Sequence, residues 1–235
     1  NVQAQRLGMQ NTHFANSTGL PDPQLYSTAR DLALLATALI RDFPEHYKVH
    51  AQREFTYNSI KQHNRNTLLG KDPSVDGVKT GHTEAAGYCL VASAQRDGLR
   101  LVSSVLGSKS VKSRETASQT LLNHGFRNYA AYTLYQPEVP LLTRPVWYGA
   151  VAEVGLGLKR PLVVTLTRDE YAQLSAEVEL ESRLIAPLVA ATELGLVRVA
   201  LRGEPLAQAP LVILQAVPEG NTWQQLRDGI AAWFE

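Results

Sequence analysis

The sequence is poor in the features that define several common classes of protein. Its 235 residues include one cysteine and one methionine, so an internal disulfide is excluded and the redox compartment stays open. No apolar run approaches the ~20 residues that a membrane-spanning helix needs. The formal net charge is +1 and no basic run is present, which gives no reason to expect a nucleic-acid partner. A glycine-rich phosphate loop and a paired-acid arrangement are also missing.

What is present is enough apolar sequence, 44% of the chain, to form one or two cores. The first region, to about residue 130, mixes helices and strands. Thr28 with Asp31 predicts a helix start, and Pro44 predicts its end. A strand through Tyr88 and its hairpin partner Leu101–Leu106 follow. A second helix is expected from about Val111 to His124, closing near Gly125.

Beyond Tyr135 the pattern changes to short alternating runs separated by turn-forming residues. This spacing predicts a small all-β sandwich. The region contains no plausible catalytic constellation, which favours a scaffold or spacer role. The runs are Leu162–Leu166, Val178–Leu180, Val197–Leu201 and Leu211–Leu214.

The C-terminal tail predicts an amphipathic helix. After Gly220, apolar residues recur at spacings of three and four, which places them on one helical face. This face suits either a membrane surface or docking on the β domain. The residues are Trp223, Leu226, Ile230, Trp233 and Phe234.

The most informative stretch is residues 76–91, which contains Lys79-Thr80-Gly81 between a turn and an apolar run. Serine penicillin-recognising enzymes carry a Lys-Thr-Gly triplet on a strand that lines the active site. Such an edge strand pairs its backbone with an extended peptide. The partner motifs are absent: no Ser has Lys three places on, and no Ser-x-Asn occurs. We therefore expect the nucleophile to lie upstream of residue 1.

The longer context resembles the D-alanyl-D-alanine carboxypeptidases, the low-molecular-mass penicillin-binding proteins of peptidase family S11 and the penicillin-binding protein 5/6 type. The resemblance covers roughly the first half of the chain, with the family's segments in the same order. These segments are residues 11–20, 26–33, 62–69 and 75–83 with Ala86-Gly87.

The resemblance implies a fold and a domain order. The fold class is α/β (α+β): the rear part of a penicillin-binding transpeptidase-like domain, then a small all-β sandwich and a C-terminal amphipathic helix. The expected boundaries are 1–130 for the serine D,D-peptidase part, 131–217 for the β sandwich and 218–235 for the membrane-associating helix.

The triplet and its neighbour are the first candidate substrate-binding residues. By the resemblance, Lys79 holds the substrate carboxylate and tunes the proton network, and Thr80 donates a hydroxyl to the same carboxylate. Gly81 permits close approach of the backbone. His82 is expected beside the cleft, although a surface histidine is almost as good a reading.

Arg65 and Arg114 are the candidate carboxylate clamps, because a planar guanidinium binds a carboxylate with two hydrogen bonds. Arg114 ranks first, since the family binds the terminal D-Ala carboxylate with an arginine at this position. His46 and His50 have metal-ligand spacing, but we interpret them as surface histidines. No metal and no cofactor are expected.

The implied activity is removal of the terminal D-Ala from peptidoglycan stem pentapeptides through an acyl-serine intermediate, in an enzyme that also binds β-lactam antibiotics. The implied location is periplasmic, attached to the outer face of the bacterial inner membrane through residues 222–235. A serine β-lactamase is one alternative, although the β domain and tail speak against it. A non-catalytic cell-wall scaffolding homologue is the other, supported by the missing nucleophile.

Overall fold

The computed structural model describes residues 1–180 and 183–231. The chain divides into two compact units, Asn1–Asn128 and Tyr129–Glu235. The helices are α1 Val2–Arg6, α2 Ala29–Asp42, α3 Pro44–Tyr47, α4 Leu68–Lys71, α5 Val111–Asn128 and α6 Thr222–Ala231, and Lys48–Ala51 forms a 3-10 turn.

Among the described residues, five strands lie in the first unit and eight in the second. Those of the first unit are β1 Glu54–Tyr57, β2 Ile60–His63, β3 Val75–Thr83, β4 Gly87–Arg96 and β5 Leu99–Ser108. Those of the second unit are β6 Tyr129–Tyr135, β7 Pro140–Trp147, β8 Glu153–Gly157, β9 Leu162–Thr167, β10 Leu174–Leu180, β11 Leu184–Ile185, β12 Glu193–Leu201 and β13 Glu204–Ile213.

The first unit is built around an antiparallel sheet in the order β3-β4-β5. The β4–β5 hairpin turns at Asp97 and Gly98, both with positive φ, which suits the right-handed twist of the paired strands. Helices α2 and α5 pack on this sheet. The buried core consists of Leu68, Leu69, Val75, Leu90, Ala92, Ala94 and Leu122.

The start of α2 fastens the N-terminal segment to this unit. The Thr28 hydroxyl accepts from the Asp31 amide at 3.2 Å, as expected of a cap. The buried Asp31 carboxylate accepts from the Asn11 amide at 2.8 Å and the Thr12 hydroxyl at 2.7 Å. The capping residue pair therefore also positions the segment that precedes it by about twenty residues in sequence.

The end predicted for the second helix was wrong. Helix α5 continues through Gly125 to Asn128. A side chain at position 125 would collide with Leu101 of β5, so glycine here lets the helix approach the sheet closely. It serves helix–sheet packing and does not terminate the helix.

The described part of the second unit consists of strands, a short 3-10 helix at Tyr171–Gln173 and the terminal helix α6. A sheet in the order β10-β12-β13-β8-β7-β11 accompanies the pair β6-β9. Its core consists of Val146, Val154, Leu156, Leu158, Leu162, Leu184, Ala186, Val197, Val199, Leu211, Ile213 and Val217. The alternating runs thus became strands, and the predicted fold class is confirmed.

Asp72 joins three separate parts of the first unit. Its carboxylate accepts from the Ser74 hydroxyl at 2.6 Å, Arg96 at 2.7 Å and Gln119 at 2.8 Å. Partial burial raises the pKa of this carboxyl, but the hydrogen bonds outweigh burial and lower the pKa to about 2. The folded state therefore favours the ionised form more than the unfolded chain does.

We expect this carboxylate to make stability depend on pH. Its contribution is full above the unfolded pKa near 4 and is lost as pH falls through the folded pKa of about 2, with a size of about 1–2 kcal/mol. Urea unfolding followed by circular dichroism should show a smaller decline between pH 5 and pH 2 for Asp72→Asn than for the wild type. The control is Asp97→Asn, an exposed turn carboxylate. Equal declines for all three proteins would contradict the assignment.

Candidate active-site strand

Lys79, Thr80 and Gly81 lie on β3, at the edge of the three-stranded sheet. Among the strands that the structure describes, β3 pairs with β4 alone, and β4 lies on one side of it. The opposite edge faces outward. Lys79 and Gly81 are exposed and Thr80 is half-buried. An extended peptide therefore has an accessible strand edge to pair with.

A charged cluster fixes the beginning of this strand. The Asp76 carboxylate accepts from the Tyr47 hydroxyl at 2.9 Å and from Arg100 at 2.7 Å. Arg100 also donates to the buried Ser93 hydroxyl at 2.7 Å. Burial raises the pKa of the Tyr47 hydroxyl, so this group remains a hydrogen-bond donor across the ordinary pH range.

Two further side chains bind the carbonyls that follow Asp76. The Asn66 amide donates to the Gly77 carbonyl at 2.9 Å. The His50 Nδ1 atom lies 2.8 Å from the Val78 carbonyl oxygen. The interpretation of His50 as a surface histidine was wrong, because its ring is half-buried against β3, whereas His46 is exposed. The backbone of β3 immediately before Lys79 is therefore held by side-chain hydrogen bonds.

The Lys79 side chain folds against its own strand and reaches the next residue. Its ammonium donates to the Thr80 carbonyl at 2.6 Å. This places a positive charge beside the outer edge of β3 next to the Thr80 residue. An anionic group arriving at this edge meets both a cation and a hydroxyl.

His82 and Arg114 both lie against the aromatic ring of Tyr88. The His82 ring stacks on the Tyr88 ring with centroids 3.9 Å apart. The Arg114 guanidinium carbon lies 5.7 Å from the centroid of the same ring, within cation–π range. Tyr88 stands opposite His82 in the β3–β4 register. It therefore links two of the predicted site residues.

Arg114 is a buried cation, with 4% of its surface exposed. Its guanidinium donates to the carbonyls of Gly81 at 3.2 Å, Cys89 at 3.3 Å and Arg65 at 3.4 Å. All three hydrogen-bond acceptors are neutral. The carboxylate of the next residue, Glu115, interacts with this charge, but it also pairs with Lys71, so positive charge remains beneath the strand.

The two candidate arginines meet through the backbone. Arg65 contributes its carbonyl to Arg114, while the residue itself is exposed. The structure therefore brings five of the six predicted site residues together on or under β3. Arg65, the sixth, lies beside them and reaches Arg114 through its backbone carbonyl. The five are Lys79, Thr80, Gly81, His82 and Arg114.

Glu115 fixes the N-terminal end of α5, which carries Arg114. This buried carboxylate accepts from Lys71 at 2.7 Å and from the Thr67 hydroxyl. Burial raises the pKa of Glu115, but these hydrogen bonds outweigh it and lower the pKa overall. The ionised carboxylate thus ties α5 to α4 and orients the neighbouring arginine.

A groove continues from the far end of β3. It has a volume of about 510 Å³ and begins at Thr83. Proline and alanine give it a largely apolar wall. The lining residues are Gly19, Pro21, Asp22, Pro23, Leu25, Thr83, Ala85 and Ala86.

Several residues that shape the site were not predicted from the sequence. Tyr47 and Tyr88 lack a motif of their own, and Asn66, although it lies in the segment 62–69, was given no role; each acts through a contact that the fold creates. The described part of the chain holds no group of three His, Cys, Asp or Glu side chains arranged as a metal site. The site as described offers anion recognition and strand pairing.

Comparison with known proteins identifies the family. The family model of D-alanyl-D-alanine carboxypeptidase, peptidase S11, matches residues 1–110, and the model of the penicillin-binding protein 5 C-terminal domain matches residues 129–219. D-alanyl-D-alanine carboxypeptidase DacA of Escherichia coli K12 is 41% identical over 236 aligned residues. The alignment covers all of this chain and 59% of DacA, so the chain spans less than two thirds of that relative.

Two solved structures are similar to most of the chain. Penicillin-binding protein 5 from Haemophilus influenzae has a TM-score of 0.73 and 40% identity, with 93% of this chain and 64% of that chain covered. The D-alanyl-D-alanine carboxypeptidase DacD from Francisella tularensis has a TM-score of 0.62 and 30% identity, with 93% and 67% covered. With both units matched by family models, the chain belongs to the D-alanyl-D-alanine carboxypeptidase family S11, of the penicillin-binding protein 5 type.

Proposed function

We propose that this chain forms the substrate-recognition wall of a serine-type D-Ala-D-Ala carboxypeptidase. The observation that carries the proposal is the exposed edge of β3, where Lys79 and Thr80 stand above the buried cation Arg114. A peptide carboxylate fits this combination because it meets the Lys79 charge and the Thr80 hydroxyl directly and is attracted by the Arg114 charge beneath them. The family membership supplies the reaction class.

The peptide stem pairs with β3 and directs its free carboxylate toward Lys79 and Thr80. The Arg114 charge beneath Gly81 favours the same anion. Arg65, exposed beside the Arg114 contact, supplies a second guanidinium at the rim. His82, stacked on Tyr88, borders the edge on the side that leads to the groove at Thr83.

The reaction runs in two steps. A serine activated by a lysine three residues later attacks the penultimate D-Ala carbonyl, forming an ester as the peptide bond breaks, and the leaving D-Ala amine takes the proton. Water then hydrolyses the ester and restores the serine. The 235 residues contain no Ser-x-x-Lys; we therefore propose that a longer polypeptide supplies this pair and that the chain alone is inactive.

β-lactam antibiotics are expected to acylate the same serine. Their carboxylate and amide resemble the D-Ala-D-Ala end of the stem, and they meet the same edge strand. The penicillin-binding name of the Haemophilus influenzae relative supports this proposal. The second unit, matched to a penicillin-binding protein 5 C-terminal domain, favours a carboxypeptidase over a lone β-lactamase domain.

The terminal helix is proposed to attach the protein to the outer face of the inner membrane from the periplasm. Trp223 and Leu226 of α6 are 79% and 56% exposed. Asp228 fastens the helix to its unit by accepting from the Tyr148 amide at 2.8 Å. Trp233 and Phe234 of the predicted face lie outside the described residues, as does the Ile230 side chain. No described helix is long and apolar enough to cross a bilayer.

The first test compares D-Ala release by the parent polypeptide and its Thr80→Val variant, with a stem pentapeptide as substrate. Valine keeps the shape and removes the hydroxyl, so we expect kcat/KM to fall roughly 10- to 100-fold, the loss of one hydrogen bond to a charged group. Thr56→Val, an exposed strand threonine, is the matched control. The wild-type 235-residue chain should release no D-Ala. Release by that chain, or full activity of Thr80→Val, would contradict the proposal.

Two glycines of β3 separate recognition from folding. A side chain at Gly81 would meet only the Cys89 Cβ at 3.8 Å, whereas one at Gly77 would collide with the Tyr47 hydroxyl. We expect Gly81→Ala to leave urea unfolding of the chain unchanged but to slow penicillin acylation of the parent at least about 10-fold. Gly77→Ala should lose about 1–3 kcal/mol of stability. Normal acylation of a stable Gly81→Ala parent would show that the antibiotic does not approach the Gly81 backbone.

Membrane attachment is tested by co-sedimentation with anionic liposomes. We expect deletion of residues 222–235, and the double change Trp223→Ala with Leu226→Ala, to reduce the bound fraction by more than half, because exposed apolar area is lost. Val178→Ala removes an exposed apolar side chain from β10 and should leave binding unchanged. Undiminished binding of the deleted protein would refute the proposal.

A further inference from the structure

The unpaired edge of β3 is blocked at Val78 by a side chain from outside the sheet. Backbone groups of alternate residues in an antiparallel strand point to opposite edges. The register with β4 is regular from Gly77 to Thr83, and His50 approaches the Val78 carbonyl from outside the sheet. The groups of Val78, Thr80 and His82 therefore share the outer edge. The Thr80 carbonyl, reached by the Lys79 ammonium, fits this parity.

His50 occupies the first of these outward positions. A carbonyl only accepts, so Nδ1 must carry the proton that joins it to Val78 across 2.8 Å. Its ring packs against the buried Tyr47, with centroids 5.4 Å apart. The His50 carbonyl accepts from the Asn64 amide at 3.5 Å. The side chain is thus held from its ring and from its backbone.

The two directions along the edge are consequently unequal. Toward the end of the strand, Thr80 and His82 lead to the groove at Thr83. Toward its start, His50 covers the next backbone acceptor, and Asn66 holds the Gly77 carbonyl behind it. A peptide whose carboxylate sits at Lys79 and Thr80 has room on one side only.

We propose that His50 is a specificity-determining residue that closes the β3 edge at Val78, so that the site accepts a peptide end and excludes a chain that continues past it. The proposal rests on the proposed function. It implies that the stem lies antiparallel to β3, with its earlier residues toward Thr83. In this proposal, the hydrogen bond between His50 and the Val78 carbonyl is what limits cleavage to the last residue of the peptide.

The test uses the parent polypeptide and two peptides. One ends in D-Ala-D-Ala with a free carboxylate, and the other carries one additional glycine, so that the leaving group is the dipeptide D-Ala-Gly. We expect the kcat/KM ratio of the free-ended over the extended peptide to fall at least about 10-fold in His50→Ala. His50→Asn places an amide donor where Nδ1 stands and should retain the wild-type ratio.

The outcomes separate the two claims. A parent that releases D-Ala while His50→Ala keeps the wild-type ratio overturns the role of His50 alone, even if both rates drop together. A wild-type parent that releases no D-Ala overturns the proposed function and this inference with it. Should His50→Ala fail to fold, nitrogen-15 spectra of the 235-residue chain decide: a proton on Nδ1 coupled to the Val78 carbonyl supports the proposal, and an unprotonated Nδ1 refutes it.

Discussion

The anchoring of one edge strand is the constraint on which the first unit depends. An edge strand has ladder hydrogen bonds on one side only, so its position must be secured by other contacts. In β3 the securing groups come from outside the sheet: Tyr47 on Asp76, Asn66 on Gly77 and His50 on Val78. Arg114 supports the Gly81 carbonyl from beneath. These contacts hold β3 in place while its outer edge at Thr80 and His82 remains unpaired by any strand that the structure describes.

These anchors also explain why the surrounding elements have their shapes. Helix α3 and the 3-10 turn bring Tyr47 and His50 to the strand, and the turn at Asn66 approaches it from the other direction along the chain. The Glu115 carboxylate accepts a hydrogen bond from Lys71 of α4 and so fixes the N-terminal end of α5. Helix α3, the 3-10 turn and the turn at Asn66 are short, and each contributes one polar contact to the strand that carries Lys79 and Thr80. Preorganised donors of this kind need little rearrangement when an anion arrives.

The sequence predicted those parts of the structure that local patterns determine. Lys79-Thr80-Gly81 between a turn and an apolar run indicated a strand, and the apolar runs through Tyr88 and Leu101–Leu106 indicated the hairpin of β4 and β5. His50 was misread because its partner, Val78, is 28 residues away and no periodicity marks such a contact. The extent of α5 was missed for a related reason: Gly125 suits both a helix end and a close helix–sheet approach, and only Leu101 across the interface distinguishes them.

The burial of Arg114 has a consequence for how the site responds to its ionic surroundings. Mobile ions screen an exposed charge such as Lys79 within a Debye length of about 8 Å at physiological ionic strength, but they reach a buried charge far less. The attraction that Arg114 exerts through the floor of the strand therefore persists in concentrated salt, where the contribution of Lys79 fades.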